Sequence, residues 1–481
     1  MKWLLVNPRP EEFSVLGKYE KVMVPFIPMG LAYLAASLEE RGAEVGIYDG
    51  FASPGLSLVE KAALFQPQVV GISCLTPTAD ALKTMAPALR MAVPGVKIVL
   101  GNIHATLFAR ELMEQDLADY VIHGEGEKAI QALDDCLEGR IGPEDVPGLS
   151  YLNNGSVCTN PPGSPVQDLD ALPLPAWHLF DLDRYQTPPL FAFKKRLLPI
   201  LASRGCPFRC YFCAQNVMSP TLRKRNMVKV ADEIETVHNK TGVDLFWFCD
   251  AIFPLTRQDA KIFCREMTSR GLHKKIQWIT ETRVDLVDRP LLRMLKQAGL
   301  SMVLFGLESG DQEVLARIKP GVDLDAGKQA VAAARAEGVT TLGLFMLGLP
   351  GETRQTMEKT IAFARGISLD FAKFNRAVPY PGSRFFDEIY RGRDMPPWEL
   401  FSSNYEPRNG EGIVYTPRGV TDQELIRLHK RAFFRFYVRP GLIARHLAGG
   451  RISPWNMLRG GGVVVRSFFE ENVQNLFKSP K

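Results

Sequence analysis

Short apolar runs alternate with segments whose apolar positions recur every three to four residues, and this rhythm persists over most of the chain. Residues 3–6 read as a strand; Leu31, Leu34, Ala35 and Leu38 mark one face of a helix ended by Gly42; and residues 45–48 read as a second strand. The unit then repeats, with buried-type strands at 69–73, 96–100 and 120–122 and helical segments near 79–91, 106–115 and 127–137. Strands and helices in this alternation predict an α/β fold: a parallel, doubly wound, Rossmann-like sheet over residues 1–140, with a ligand crevice beyond the carboxyl ends of its strands.

The periodicity fades from 141 to 195, where Pro143, Pro147, Pro161, Pro162, Pro165, Pro173, Pro175, Pro188 and Pro189 gather, and this stretch reads as a connector. Alternation resumes with strands near 198–203, 244–248, 276–280, 302–306, 340–347 and 371–375. Six βα units predict a partial (β/α)6 barrel over residues 196–395. Strand signals then stop, and residues 396–481 read as a basic helical extension whose clearest helix spans 422–437.

With 46% apolar and 23% charged residues, the 481-residue chain is neither disordered nor fibrous, and it has no apolar run of the roughly 18 residues that a spanning helix needs. The N-terminus lacks a secretory pattern, which predicts a cytoplasmic protein with reduced thiols. The net charge of +5 is uneven: residues 421–481 carry 11 Lys or Arg against 4 Asp or Glu. In the tail helix Arg427, Lys430, Arg431, Arg435 and Arg439 lie among Phe433, Phe434, Phe436 and Tyr437, so it either caps the barrel with its aromatics or rests on an anionic membrane surface. No nucleic-acid partner is expected.

Three of the eight cysteines cluster in Ser203-Arg-Gly-Cys-Pro-Phe-Arg-Cys-Tyr-Phe-Cys213, directly after the first barrel strand. Cys206, Cys210 and Cys213 are spaced C-x3-C-x2-C, and no fourth Cys or His lies within 20 residues on either side, whereas a closed zinc site wants four ligands. Three thiolates on a four-iron cluster leave one iron open to a small molecule.

This motif resembles the cluster loop of the radical S-adenosylmethionine (SAM) superfamily. The resemblance implies a [4Fe-4S] cluster on Cys206, Cys210 and Cys213 whose open iron chelates SAM and cleaves it reductively to a 5′-deoxyadenosyl radical. In Gly306-Leu-Glu-Ser-Gly310 it implies that Glu308, beside Ser309, holds the SAM amino group; in Gly348-Leu-Pro-Gly-Glu352 it implies that small residues around Gly348 and Pro350 let the backbone approach the nucleoside. The backbone of Phe212 would read the adenine. Arg283 is either a partner for the SAM carboxylate or a structural salt bridge, the role of Asp250 is open, and Cys249 and Cys264 read as core thiols.

The N-terminal segment contains no G-x-G-x-x-G, which argues against a nicotinamide site. It resembles instead the cobalamin-binding domain that precedes the barrel in class B radical SAM enzymes. Matching segments are Pro28-Met-Gly-Leu31, Gly71-Ile-Ser-Cys-Leu-Thr-Pro-Thr78, Gly101-Asn-Ile-His104 and Gly124-Glu-Gly-Glu127, and they imply cobalamin contacts from Gly71, Ser73, Leu75, Thr76, Gly101, His104, Gly124, Glu125 and Gly126. There is no D-x-H-x-x-G after the first strand, so the lower face of the corrin would lie against the loop near Leu75. Asn102 and Ile103 stand where the family usually has Gly and Pro.

The resemblance runs over residues 1–395 and implies a cobalamin-dependent radical SAM methyltransferase acting at an unactivated carbon. A radical cyclase, oxidase or rearrangement enzyme with the same cofactors is the alternative, as in the anaerobic magnesium-protoporphyrin monomethyl ester cyclases; a non-catalytic iron–sulfur electron-transfer module is a third reading. The implied partners are a small-molecule or lipid-like substrate and an external one-electron donor of flavodoxin or ferredoxin type. No residue that touches the substrate is identified.

Overall fold

The computed structural model describes residues 1–9, 26–53, 55–187, 195–402 and 412–448. Pro188 and Pro189 of the connector, and residues 403–411 and 449–481 of the extension, lie outside them.

The N-terminal sheet begins with β1 (Lys2–Asn7), followed by β2 (Glu44–Asp49), β3 (Val69–Ser73), β4 (Lys97–Gly101) and β5 (Tyr120–Ile122), all parallel. Trp3, Leu4, Leu5 and Val6 are successive buried residues, as expected of a strand covered on both faces. The covering helices are α1 (Met29–Glu39), α2 (Leu58–Phe65), α3 (Leu82–Ala92), α4 (Ile103–Glu114) and α5 (Glu127–Leu137). Strand order is β2-β1-β3-β4-β5, so the winding reverses between β1 and β3 and opens a crevice beyond their carboxyl ends.

Two strands within the stretch read as connector prolong this sheet: β6 (Leu149–Asn153) and β7 (Ser156–Thr159) add antiparallel to β5. The turn joining them puts Asn154 and Gly155 at φ 49° and 77°, the paired left-handed geometry for which Asn-Gly is suited.

The second sheet has six parallel strands in chain order: β8 (Leu197–Ile200), β9 (Leu245–Phe248), β10 (Gln277–Thr282), β11 (Leu300–Glu308), β12 (Thr340–Leu347) and β13 (Phe371–Arg376). Between them run α6 (Gln215–Met218), α7 (Met227–Thr241), α8 (Arg257–Ser269), α9 (Arg289–Gln297), α10 (Gln312–Ile318), α11 (Leu324–Ala336) and α12 (Arg354–Gly366). Side chains alternate strictly. Leu198, Phe246, Trp278, Val303, Phe345 and Ala372 pack among the helices, whereas Leu197, Leu245, Ile279, Met302, Leu304 and Phe371 form a separate apolar cluster inside the barrel.

After β13 the chain forms α13 (Arg384–Tyr390), returns to the first sheet where Trp398 and Phe401 pack with Leu4 and Val6, and then forms α14 (Asp422–Tyr437) and α15 (Pro440–Ala448). Leu425, Leu428, Ala432 and Phe436 bury one face of α14 against the barrel. The Tyr437 hydroxyl donates to the Ala372 carbonyl (2.8 Å) and accepts from its N–H (3.2 Å), and His429 bonds the Phe374 carbonyl at 2.8 Å. Arg431 and Arg435 reach Glu358 of α12 at 2.5 and 3.3 Å. The apolar face of α14 is therefore spent on the barrel, not offered to a bilayer. Among the described residues, no helix is long and apolar enough to cross a membrane.

Candidate active site

The cysteine loop leaves β8 through a buried anchor. Asp250 accepts from the Ala202 N–H at 3.0 Å and the Ser203 hydroxyl at 2.5 Å, and burial pushes its carboxyl up to about 7. The role left open by its sequence is thus a tether between β9 and the approach to the loop. Gly205 follows at φ 85°, where a Cβ would stand 2.4 Å from the Thr221 carbonyl oxygen, so only glycine fits.

Cys206, Cys210 and Cys213 are free thiols on a loop pinned at its middle: the Tyr211 N–H donates to the Ile318 carbonyl (2.9 Å), and the Tyr211 carbonyl accepts from Phe385 (3.1 Å). Arg283 lies 3.8 Å from the centroid of the Phe208 ring and forks onto Asp285 at 3.0 and 2.9 Å, so the structure pairs it as a salt bridge. Burial raises the Cys210 thiol, Lys319 and Arg283 oppose that rise, and Glu308 and Cys213 add to it; Cys213, likewise raised by burial, also feels Cys206, Glu308 and Glu281. Thiols, cations and carboxylates therefore share one site. Among the described residues, no three His, Cys, Asp or Glu side chains close on a single ion. Three thiols spread around a loop suit a cubane, which presents a different iron to each.

Glu308 ends β11 at φ 61°, the left-handed region that a side chain adopts only at a cost, and the pairing with β12 slips by a residue there. The distortion turns a buried carboxylate into the barrel mouth, where the Lys319 ammonium donates to it at 3.0 Å and to the Gly306 carbonyl at 2.7 Å. Ser309 faces the other way: it is fully buried, its hydroxyl lies 3.3 Å from that of Thr360 and accepts from the Asp311 N–H, so only its backbone borders the mouth. Phe212 is half-buried, and among the described residues neither its N–H nor its carbonyl makes a hydrogen bond. Those two free groups match the adenine-reading role that the resemblance implies.

The expectation that small residues around Gly348 and Pro350 clear space for a nucleoside needs correction. A Cβ on Gly348 (φ 88°) would stand 2.7 Å from Leu425 of α14, and one on Gly351 would meet Arg317, whose guanidinium donates to the Pro350 carbonyl at 3.1 Å. The space is filled by protein. Glu352 closes the turn by accepting from the N–H groups of Gly348 (2.7 Å) and Leu349 (2.9 Å). Gly348→Ala adds backbone strain and a clash with Leu425, so we expect a loss of about 1–3 kcal/mol in urea denaturation, partly recovered in Gly348→Ala with Leu425→Ala. Equal stability of Gly348→Ala and the parent would sink this account.

At the carboxyl ends of the first sheet, Gly124 faces open space, a Cβ on Gly101 would come no nearer than 4.0 Å to the Ile122 carbonyl oxygen, and Leu75 is exposed, as a crevice requires. Asn102 holds φ 79° and ψ −178°, a region otherwise left to glycine, and its amide donates to the Ser73 hydroxyl at 3.0 Å while its carbonyl caps Ile103 at 2.7 Å. Asparagine thus performs the turn for which relatives use glycine.

Five of the nine residues assigned to cobalamin are engaged elsewhere. Gly71 lies in the core, where a Cβ would meet Leu5 at 2.8 Å, and Gly126 is pressed against Leu34 at 2.9 Å. His104 is buried beneath Phe108 and Trp398 with Nδ1 3.4 Å from the Thr76 hydroxyl, which is itself buried; burial pulls the imidazole down to about 4. Glu125 accepts from Arg223 at 2.8 Å and from Ser219 at 2.8 Å. Burial pushes its carboxyl up, but Arg223, Ser219 and Arg204 outweigh it and hold the group below its ordinary range.

These contacts reveal residues that sequence reasoning missed. Arg204, two residues before the first cluster cysteine, donates to Glu127 at 2.5 Å, lies 3.5 Å from Glu125, and covers the Tyr33 ring. Arg223 also donates to the Val166 carbonyl at 2.6 Å. Nothing local marks either arginine, because their carboxylate partners lie 77 and 98 residues away. The crevice loops are thereby clamped to the cluster loop. Thr106 at the first turn of α4 completes the join, accepting from the Gly124 N–H (3.3 Å) and touching Met218 of α6.

Comparison with known proteins agrees with both sheets. The B12 binding domain matches residues 20–134 and the radical SAM superfamily residues 200–364. The chain is 30% identical over 454 residues to an uncharacterized methyltransferase of Pyrococcus horikoshii, covering 93% of this chain and 95% of that one. It is 30% identical over 424 residues to the anaerobic magnesium-protoporphyrin IX monomethyl ester cyclase of Cereibacter sphaeroides, covering 86% and 68% respectively. The radical SAM methyltransferase TsrM of Kitasatospora setae, solved with cobalamin and a [4Fe-4S] cluster, shares the fold with a TM-score of 0.69 at 19% identity over 98% of this chain and 99% of its own.

Proposed function

Because the chain belongs to the radical SAM enzymes that carry an N-terminal cobalamin-binding domain, we propose that it is a methyltransferase acting at an unactivated carbon of a small molecule. The observation that carries this reading is the clamp of Arg204 and Arg223 on Glu127 and Glu125, which holds the crevice of the first sheet over the cysteine loop of the second. Two cofactor sites that serve one carbon must face each other, and a clamp of buried charges fixes that juxtaposition.

Cys206, Cys210 and Cys213 would hold the cluster; Glu308, oriented by Lys319, and the free backbone of Phe212 would hold SAM; and Ser73, Leu75, Gly101, Asn102 and Gly124 would border the corrin. When bound, cluster and SAM supply a 5′-deoxyadenosyl radical and cobalamin a transferable methyl group. The chain's own part is positional. Lys319 keeps the Glu308 carboxylate at the mouth, Asp250 fixes the loop's entry, and Ile279, Met302 and Leu304 give the barrel interior an apolar floor.

We divide the chain into residues 1–140, extended by the hairpin to Thr159, a connector to 195, a barrel over 196–395 and the extension beyond. We propose that the electron comes from an external donor of flavodoxin or ferredoxin type and that the enzyme works in the cytoplasm.

Methyl-labelled SAM tests the reading on anaerobically reconstituted protein supplied with cobalamin. Label in a product together with 5′-deoxyadenosine supports methylation. Deoxyadenosine with an unlabelled, cyclised or oxidised product selects the cyclase-like alternative, which the Cereibacter relative favours. Absence of both overturns the two readings together.

A further inference from the structure

The barrel interior holds polar groups that the site above does not use. On β13, Phe371 belongs to the apolar cluster inside the barrel, so Lys373 and Asn375, two and four residues on, point inward as well; on β10, Ile279 places Glu281 inward by the same alternation. Lys373 is level with Leu344 and Gly306, one layer above the apolar floor and one below Glu308.

Among the described residues, the Lys373 ammonium, the Glu281 carboxylate and the Asn375 carbonyl oxygen have no hydrogen-bonding partner. The other charges of the mouth are closed on each other, Lys319 with Glu308 and Arg283 with Asp285. The Lys373 side chain is exposed, and its ammonium makes neither an ion pair nor a hydrogen bond among the described residues. Glu281 likewise has no hydrogen bond to its carboxylate, and the Asn375 carbonyl oxygen is buried without a donor. Burial draws the Lys373 ammonium down, which Glu281 opposes, and burial with the nearby Glu308 carboxylate pushes Glu281 up to about 7 against the pull of Lys319 and Lys373, so Lys373 and Glu281 share one interior. Folded chains satisfy almost all buried polar groups, so the unmet Asn375 oxygen, on the same barrel interior as an unpaired ammonium and an unpaired carboxylate, indicates that a ligand meets them.

We propose that Lys373, Asn375 and Glu281 form the substrate-recognition site of this enzyme, and that the substrate is a small molecule with a carboxylate or phosphoryl anion for Lys373 and a hydroxyl or amine donor for Glu281 and Asn375. This inference rests on the reading of the barrel as a radical SAM active site, and it disfavours a purely hydrocarbon substrate, which would leave all three groups unmet. The anion, anchored low in the barrel, would hold the rest of the molecule beneath Glu308 and the cysteine loop.

Acetylation of the full, reconstituted chain by acetic anhydride, read lysine by lysine by peptide mass spectrometry, tests the site with inorganic phosphate or acetate as probe anions. At a concentration of about twice its dissociation constant, a probe that occupies the site slows acetylation of Lys373 about threefold, while the exposed Lys229 and Lys261 react at unchanged rates. Equal slowing at all three lysines, or no reaction at Lys373 under any condition, overturns the proposal. Protection of Lys373 by SAM alone to the same extent also overturns it, because the ammonium would then belong to the cofactor. Deoxyadenosine release by the same preparation reports separately on the radical SAM reading, so a failure of either is distinguishable.

Discussion

Replacing Cys206, Cys210 or Cys213 singly by alanine will lower bound iron to background and reduce 5′-deoxyadenosine formation by at least about a thousandfold, since a cluster with two protein ligands loses both its anchorage and its defined open corner. The fold should survive. The loop is held by backbone bonds from Tyr211 to Ile318 and Phe385 and by the Asp250 anchor, none of which involves a thiol. Unchanged far-ultraviolet circular dichroism together with lost iron is therefore the expected pair of results. A Cys210→Ala protein that keeps stoichiometric iron and cleaves SAM at the parental rate would overturn the ligand assignment.

Arg223→Ala should cost about 3–5 kcal/mol, the range for removing one member of a buried pair. It leaves Glu125 with the Ser219 hydroxyl, the Val166 N–H and Arg204 at 3.5 Å, and strips the Val166 carbonyl of its donor. Urea denaturation would measure the loss, and bound cobalamin should fall with it, because the same carboxylate sits between Gly124 and Gly126 in the crevice loop. Replacing both partners, as in Glu125→Leu with Arg223→Met, should lose much less than the single change, since no charge is then stranded. A single change that costs under about 1 kcal/mol would show the clamp to be incidental.

What could be read from the chain alone follows from range. Period-two and period-3.6 patterns depend only on neighbours, so β3, β5 and β12 lie where their apolar runs place them, and the cysteine triplet announces itself within eight residues. The hairpin of β6 and β7 was hidden by surrounding prolines, although Asn154-Gly155 between Tyr151 and Val157 carried its signature. Glycines were the most ambiguous. Gly124 has free space beside it, but Gly71, Gly126 and Gly348 are small because Leu5, Leu34 and Leu425 press on them, and those leucines lie far away in sequence. Carboxylates suffered the same limit: Glu125 reads as a loop residue facing a ligand until the fold brings Arg223 to it. The lumen groups on β10 and β13 could not be singled out, because an alternating polar residue in a strand looks the same whether it faces a substrate or water.

Among the described residues, the sixth strand of the incomplete barrel has no neighbour to pair with on one side, and such a border is a template for strand addition by another molecule. Tyr437 and His429 occupy main-chain groups of Ala372 and Phe374 along that border, so α14 acts as a molecular stopper as well as a packing element. A chain cut short before Asp422 would therefore expose an adhesive ribbon and self-associate, even with every cofactor ligand intact.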